Sequence, residues 1–99
     1  MFSSKDPAEE ITLTFDYTAT GGTITNPSVT VKVVRGIDPN ASAMISGSPQ
    51  ISDGNKVLQK VIGGLRDCDY EFRCFATVNG DRPLIHDVLP VRSGCAYET

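Results

Sequence analysis

The sequence predicts an all-β protein, an immunoglobulin-like or fibronectin-III-like β-sandwich of about seven antiparallel strands. Short runs that alternate apolar and polar side chains recur roughly every ten residues. Glycine, proline, asparagine and aspartate separate these runs. No long stretch has the periodicity of an amphipathic helix. Many short strands with turn residues between them are typical of sandwiches and small barrels.

The 99 residues are enough for one domain with a small core. We predict a polar N-terminal arm at residues 1–9, a sandwich domain at residues 10–91 and a C-terminal tail at residues 92–99. Because the arm is polar and contains Pro7, we expect it to lie outside the core and to become ordered on a partner. The N-terminus has no apolar segment of the kind found in secretory signals, so we expect synthesis in a cytoplasm.

The first two predicted strands have the clearest alternation. The first runs from Glu10 to Ala19 and ends at Gly21-Gly22. Its predicted inward side chains are Ile11, Leu13, Phe15 and Tyr17. The second runs from Ser28 to Arg35, with Val29, Val31 and Val33 inward. β-branched residues favour strands, which supports the second assignment.

Residues 37–55 are rich in turn residues, and we predict two short strands joined by turns. Asp53-Gly54 indicates a hairpin, because both residue types accept positive φ. The strand from Lys56 to Ile62 follows. Its pattern does not decide which side faces the core: the side of Val57, Gln59 and Val61, or that of Leu58 and Ile62.

The central stretch, residues 61–77, begins with a turn at Gly63-Gly64 and continues into an alternating strand. A leucine, a polar turn and then a tyrosine heading such a strand is typical of immunoglobulin-like sandwiches. We expect Leu65 and Tyr70 to fix the turn to the core. The side chains predicted to fill the core beyond them are Phe72, Cys74 and Ala76.

The last predicted strand, residues 83–91, follows a hairpin turn at Asn79-Gly80-Asp81. Pro90 cannot donate a backbone hydrogen bond, so this strand is expected to be an edge strand or to contain a bulge.

Composition and spacing give no sign of catalysis, and we predict no enzyme activity, cofactor or metal. A net charge of −3 without a basic cluster argues against nucleic acid and membrane partners. His86 is the single histidine, and with Cys74 it would resemble a nucleophile–base pair, but the alternation predicts that Cys74 is buried. Asp67 and Asp69 are too few carboxylates for calcium. All three cysteines are expected to be free thiols.

Some side chains remain outside the predicted core and are candidates for partner contacts. Phe75 is on the outward side of the central strand, where it either fills the periphery of the sandwich or belongs to a protein interface. The full set of predicted contact residues is Phe2, Lys5, Asp6, Pro7, Phe75 and Tyr97.

Two stretches together resemble a known family. The first is Lys5-Asp6-Pro7-Ala8-Glu9, which precedes the strand containing Phe15-Asp16-Tyr17. The second begins at Asp38-Pro39 and extends through residues 42–51. It continues with Val57, Gln59, Val61, Gly63-Gly64, Tyr70, Ala76-Thr77 and Leu89-Pro90-Val91. In this order the residues resemble the small fibre–tail adaptor proteins of tailed phages, over about residues 5–91.

The resemblance implies a non-enzymatic virion structural protein, made in the host cytoplasm and placed in several copies at the neck or tail. It would join a fibre or another appendage to the tail or connector, so its partners would be other phage structural proteins. The motif residues are then fold determinants: Gly47, Pro49, Gly63, Gly64 and Tyr70. Two alternatives remain: another virion component, such as a head–tail connector, stopper or capsid decoration protein, or an immunoglobulin-like module that binds protein or carbohydrate.

Overall fold

The computed structural model describes Phe2 and residues 4–92. Within this part of the chain there are six strands: β1 (Ile11–Asp16), β2 (Thr25–Arg35), β3 (Ile45–Ser52), β4 (Lys56–Val61), β5 (Cys68–Thr77) and β6 (Leu84–Val91). Two single turns of 3₁₀ helix, Thr18–Thr20 and Ala41–Met44, precede β2 and β3. The two short strands expected between residues 37 and 55 are instead one strand, β3, which is irregular between Ser46 and Gln50 and follows the second 3₁₀ turn.

The strands form two antiparallel sheets of three strands, in the orders β1-β4-β3 and β2-β5-β6. The predicted all-β, two-sheet architecture is therefore confirmed. The described residues contain six strands, and the seventh stays a prediction. Pro90 has no backbone N–H to donate, and it lies in β6, which is an edge strand as predicted.

The core lies between the two sheets and follows the predicted alternation. Every second residue of β5 is buried, from Cys68 to Ala76. Facing them, the inward residues of β1 are also buried. In β4 the buried side is that of Val57, Gln59 and Val61, which resolves the alternative left open by the pattern. The inward valines of β2 are only half-buried, because β2 is an edge strand.

Gln59 is a fully buried polar residue, and it explains the irregular course of β3. Its Nε2 donates to the carbonyl oxygens of Ser46 and Gly47, both at 3.2 Å, and of Lys60 at 2.9 Å. These bonds satisfy carbonyls where β3 leaves the β4 ladder, between Ser46 and Gln50. Gly47 has a φ of 73°, which a glycine adopts without strain. Pro49 lies in the same irregular segment.

The predicted turns are present. Asn79 and Gly80 have φ of 51° and 83°, and Val78 pairs with Asp81 across them. Two consecutive positive φ values match the twist of the strands that such a hairpin joins. Asp53-Gly54 also has positive φ at both residues, 55° and 73°. Gly63 and Gly64, at 64° and 94°, turn the chain from β4 towards β5.

The N-terminal segment packs on the sandwich, which differs from the prediction of an arm outside the core. The Phe2 and Lys5 amides donate to the carbonyls of Val88 and Pro90, both at 2.9 Å, and the Arg92 amide donates to the Lys5 carbonyl at 2.8 Å. Phe2 packs edge-on against the Phe15 ring, with centroids 5.8 Å apart. The open edge of β6 offers unpaired backbone groups, and the segment satisfies some of them.

Lys5 is fully buried, which was not predicted. Its ammonium donates to the Gly63 carbonyl at 2.6 Å and to the Asp6 carbonyl at 2.8 Å. Burial lowers the pKa of this amine. The side chain therefore ties the N-terminal segment to the glycine turn, with the aliphatic stem inside the core and the charge held by carbonyls. Of the predicted tail, residues 93–99, including Cys95 and Tyr97, lie outside the described residues.

Candidate protein-docking face

The outward side of the β2-β5-β6 sheet combines charged and apolar side chains, and we take it as the candidate docking face. β5 is the middle strand, and its register places outward residues of the three strands in rows across the sheet. We call these residues the outer face: Ser28, Thr30, Lys32 and Arg35 of β2, Asp69, Glu71, Arg73 and Phe75 of β5, Leu84, His86 and Val88 of β6, with Arg82 and Arg92 at its two ends.

Glu71 lies at the centre of the outer face and contacts three nitrogen-bearing side chains. Its Oε1 accepts a hydrogen bond from Arg73 Nε at 2.8 Å and lies 3.7 Å from Lys32 Nζ. Its Oε2 lies 3.4 Å from His86 Nδ1. The Arg73 hydrogen bond holds the pKa of the Glu71 carboxyl below its ordinary value. The Glu71 side chain is only 15% exposed, whereas Lys32 and His86 are 58% exposed, so the carboxylate lies beneath its partners.

Asp69 is the second carboxylate of the outer face, and it is covered in the same way. Arg92 Nη2 donates to Asp69 Oδ1 at 2.7 Å, and the Asp69 side chain is 17% exposed. The same arginine donates to the backbone carbonyls of Cys68 and Val91. Asp69 therefore belongs to an ion pair, while Asp67 is exposed in the preceding turn, with a φ of 65°.

One end of the outer face is apolar. Phe75 and Leu84 lie opposite each other on β5 and β6, and Leu84 is 40% exposed. Arg82 places its guanidinium 6.0 Å from the centre of the Phe75 ring. Its Nη1 also donates to the Asn26 carbonyl and to Thr77 Oγ1, both at 3.0 Å, which fixes the guanidinium beside the ring. Phe75 is half-buried here, so the structure places it at the surface of the sheet.

The outer face has the opposite charge balance from the rest of the chain. It carries five basic residues and two acidic ones, whereas the remaining sequence has four basic and ten acidic residues. Both carboxylates are less exposed than the cations that pair with them. A partner that approaches the outer face therefore meets positive charge beside an apolar patch. Aromatic and arginine side chains together are enriched in protein interfaces.

The Glu71 contacts predict a dependence of stability on pH. Because the folded-state pKa of Glu71 is lowered, its contribution is fully present above the pKa of the unfolded glutamate, about 4.3. The contribution is lost as the pH falls through the lower folded-state value. We expect Glu71→Gln to have a lower thermal midpoint than the wild type at pH 7, and the difference to vanish in strong acid. Thermal unfolding followed by circular dichroism between pH 7 and pH 2 measures it; a constant difference would contradict the role of the carboxylate.

The structure separates the residues that resembled a nucleophile–base pair. His86 pairs in register with Arg73 and points outward, whereas Cys74 pairs with Ile85 and is fully buried. Burial raises the pKa of the Cys74 thiol, which disfavours the thiolate. The two side chains therefore lie on opposite sides of the sheet. Among the described residues, no group of three or more histidine, cysteine or acidic side chains is placed to hold a metal ion.

A cleft of about 410 Å³ lies at the end of the sandwich where β5 begins. Tyr70 is fully buried beside it, accepts a hydrogen bond from the Leu65 amide at 2.8 Å and donates to Asp38 Oδ2 at 2.7 Å. The other Asp38 oxygen accepts from the Asn40 amide at 2.9 Å, so this carboxylate is engaged structurally.

The predicted role of the Leu65 side chain in the turn is wrong. This side chain is 48% exposed, so it does not pack into the core as expected. The backbone amide of Leu65, not its side chain, connects the turn to Tyr70. Tyr70 and Phe72, in contrast, have no exposed surface and fill the core as predicted.

Comparisons with protein-family models, with curated proteins and with solved structures find no match to this chain. Within the described residues, none of the helical turns has the length and apolar character needed to cross a membrane.

The sequence showed part of this site. Phe75 was recognised because it interrupts the polar side of its strand. Lys32, Arg73 and Leu84 were missed, although each occupies an outward position in an alternating run. The missing information was the register, since only strand pairing brings these three residues from different strands onto one surface.

Proposed function

We propose that this protein is a non-enzymatic structural component of a tailed-phage virion, an adaptor that joins a fibre or another appendage to the tail or connector. In this proposal it is located at the neck or tail, in several copies, and its partners are other phage structural proteins. The resemblance of residues 5–91 to fibre–tail adaptor proteins supports the assignment. The outer face supports a role in protein contacts.

The single observation that carries the docking role is the arrangement of charge on the outer face. Two carboxylates of β5, with 15% and 17% exposure, lie beneath cationic side chains, and the apolar pair Phe75 and Leu84 lies further along the same face. Ion pairs at a solvent-exposed surface contribute little to stability. They do place positive charge where an acidic partner would meet it, which favours specific association.

Two features support an immunoglobulin-like arrangement for the adaptor. The sheet orders β1-β4-β3 and β2-β5-β6 are those of a sandwich whose middle strands, β4 and β5, follow one another in sequence. Tyr70, near the start of β5, receives a hydrogen bond from the backbone five residues upstream. Immunoglobulin-like sandwiches have a tyrosine with this role at the corresponding corner.

A carbohydrate-binding module is supported less well. Such modules present exposed aromatic rings for stacking, and every described aromatic side chain here is buried or half-buried.

Incorporation into particles tests the proposed function. Leu84→Glu on the outer face is compared with Ile51→Glu on the edge strand β3, since the two side chains are similarly exposed, at 40% and 41%. Particles are produced with each variant, purified and quantified by mass spectrometry. We expect the wild type and Ile51→Glu in purified particles and a strong loss of Leu84→Glu. Absence of the wild-type chain from particles would overturn the virion assignment, and equal incorporation of both variants would overturn the role of the outer face.

A further inference from the structure

We propose that the outer face of one copy binds one end of the sandwich of a second copy, in a head-to-tail contact. This inference rests on the docking role proposed above for the outer face and names its occupant. The end in question is where β1 and β5 begin and where β4 and β6 finish. We call it the acidic end and define it by Asp6, Glu9, Glu10, Ile37, Leu65 and Asp67.

Backbone contacts bring the residues of the acidic end together. The Lys5 side chain bonds to the Gly63 carbonyl, which places the Asp6–Glu10 segment beside the turn that carries Leu65. The Asp67 amide donates to the Val91 carbonyl at 2.8 Å, and Val91 in turn pairs with Lys5. Four carboxylates therefore lie around one end of the sandwich. They outnumber the two exposed cations there, Lys60, which is 3.2 Å from Glu10, and Arg66 beside Asp67.

The same end exposes two large apolar side chains. Ile37 is 85% exposed and Leu65 is 48% exposed. Ile37 is the most exposed large apolar residue of the described chain. Apolar side chains at an end with an excess of carboxylates are the counterpart of the outer face, where Arg82 lies beside Phe75 and its neighbour Leu84.

Charge complementarity favours a second copy in a head-to-tail orientation. Two outer faces would repel each other because both present cations, and two acidic ends would repel each other likewise. The outer face against the acidic end joins opposite charges and brings apolar residues of both copies together. Such a contact is heterologous, so it leaves one free face and one free end. Repetition of the contact gives a ring when the rotation closes, which suits several copies around a tail axis.

The test mixes two variants that each retain one half of the contact. Leu84→Glu damages the outer face and leaves the acidic end intact, whereas Ile37→Glu damages the acidic end and leaves the outer face intact. We expect the purified wild type to form larger species as its concentration rises in low salt. We expect each variant alone to associate at least about tenfold more weakly, and the 1:1 mixture to form a dimer that goes no further. Sedimentation velocity measures all of these.

Matched controls make the result specific. Ile51→Glu introduces the same charge at a comparably exposed apolar site outside the contact and is expected to associate like the wild type. Raising the salt concentration is expected to weaken association, because exposed charges are screened. Lys32→Glu, at a 58% exposed side chain, is a second variant of the outer face and replaces Leu84→Glu if that protein fails to fold.

Three results would overturn the head-to-tail contact. These are a wild type that stays monomeric at high concentration in low salt, a single variant that associates as strongly as the wild type, and a mixture that forms no dimer. All measurements use the purified full-length chain. If the purified chain does not self-associate, incorporation into particles still tests the proposed function. If the chain is absent from particles, sedimentation velocity still tests self-association.

Discussion

Replacing Tyr70 with alanine is expected to lower the free energy of unfolding by about 3–5 kcal/mol. The ring has no exposed surface, and its removal opens a cavity between the two sheets. The substitution also removes the acceptor of the Leu65 amide and the donor to Asp38. The free energy of unfolding of a single domain of this size is small, so the variant should be largely unfolded near physiological temperature. Urea unfolding followed by circular dichroism gives the value.

Tyr70→Phe separates the ring from its hydroxyl. It keeps the packing and removes only the two hydrogen bonds, so we expect a smaller loss of about 1–3 kcal/mol. If Tyr70→Ala were no more destabilising than Tyr70→Phe, the ring would not be a core element and the packing described for β5 would be wrong.

Replacing Gly36 with alanine is expected to destabilise the protein by about 2–5 kcal/mol, from two causes that add. Gly36 has a φ of 91°, a conformation that alanine adopts with strain. A Cβ at this position would lie 2.5 Å from Cys68 Sγ and 3.3 Å from Cys68 Cβ. Cys68 is itself buried at the start of β5 and has little room to move. Equilibrium unfolding in urea again measures the loss.

Gly80→Ala is the matched control for Gly36→Ala. Gly80 has a similar φ of 83°, but a Cβ there meets nothing within 4 Å. We expect it to cost about 1–2 kcal/mol, from backbone strain alone. Equal losses for the two variants would show that close packing of Gly36 against Cys68 contributes nothing to stability.

The local features of this fold were readable from the sequence because they depend on neighbouring residues. Alternation in β1 and β5 identified the buried side of each strand. Asn79-Gly80 and Asp53-Gly54 identified hairpins because these residue types accept positive φ. Tyr70 was recognised from its position after a polar turn.

Features that depend on distant residues were not readable. The N-terminal segment was predicted to lie outside the core because it is polar, and lysine is rarely buried. Lys5 is buried because the Gly63 carbonyl, far along the chain, accepts its charge. Gln59 shares a side with two valines, and its role became clear only from the carbonyls of β3. The cluster around Glu71 similarly needs three strands in a particular register.

Cryo-electron microscopy of the parent particle tests the central proposal most directly. We predict sandwich-shaped density for several copies of this chain around the neck or tail axis, with Phe75, Leu84 and the cations of the outer face buried against a neighbouring protein. Density that places the chain at the neck or tail with its outer face open to solvent would contradict the docking role. Particles whose neck and tail contain no copy of the chain would contradict the adaptor assignment itself.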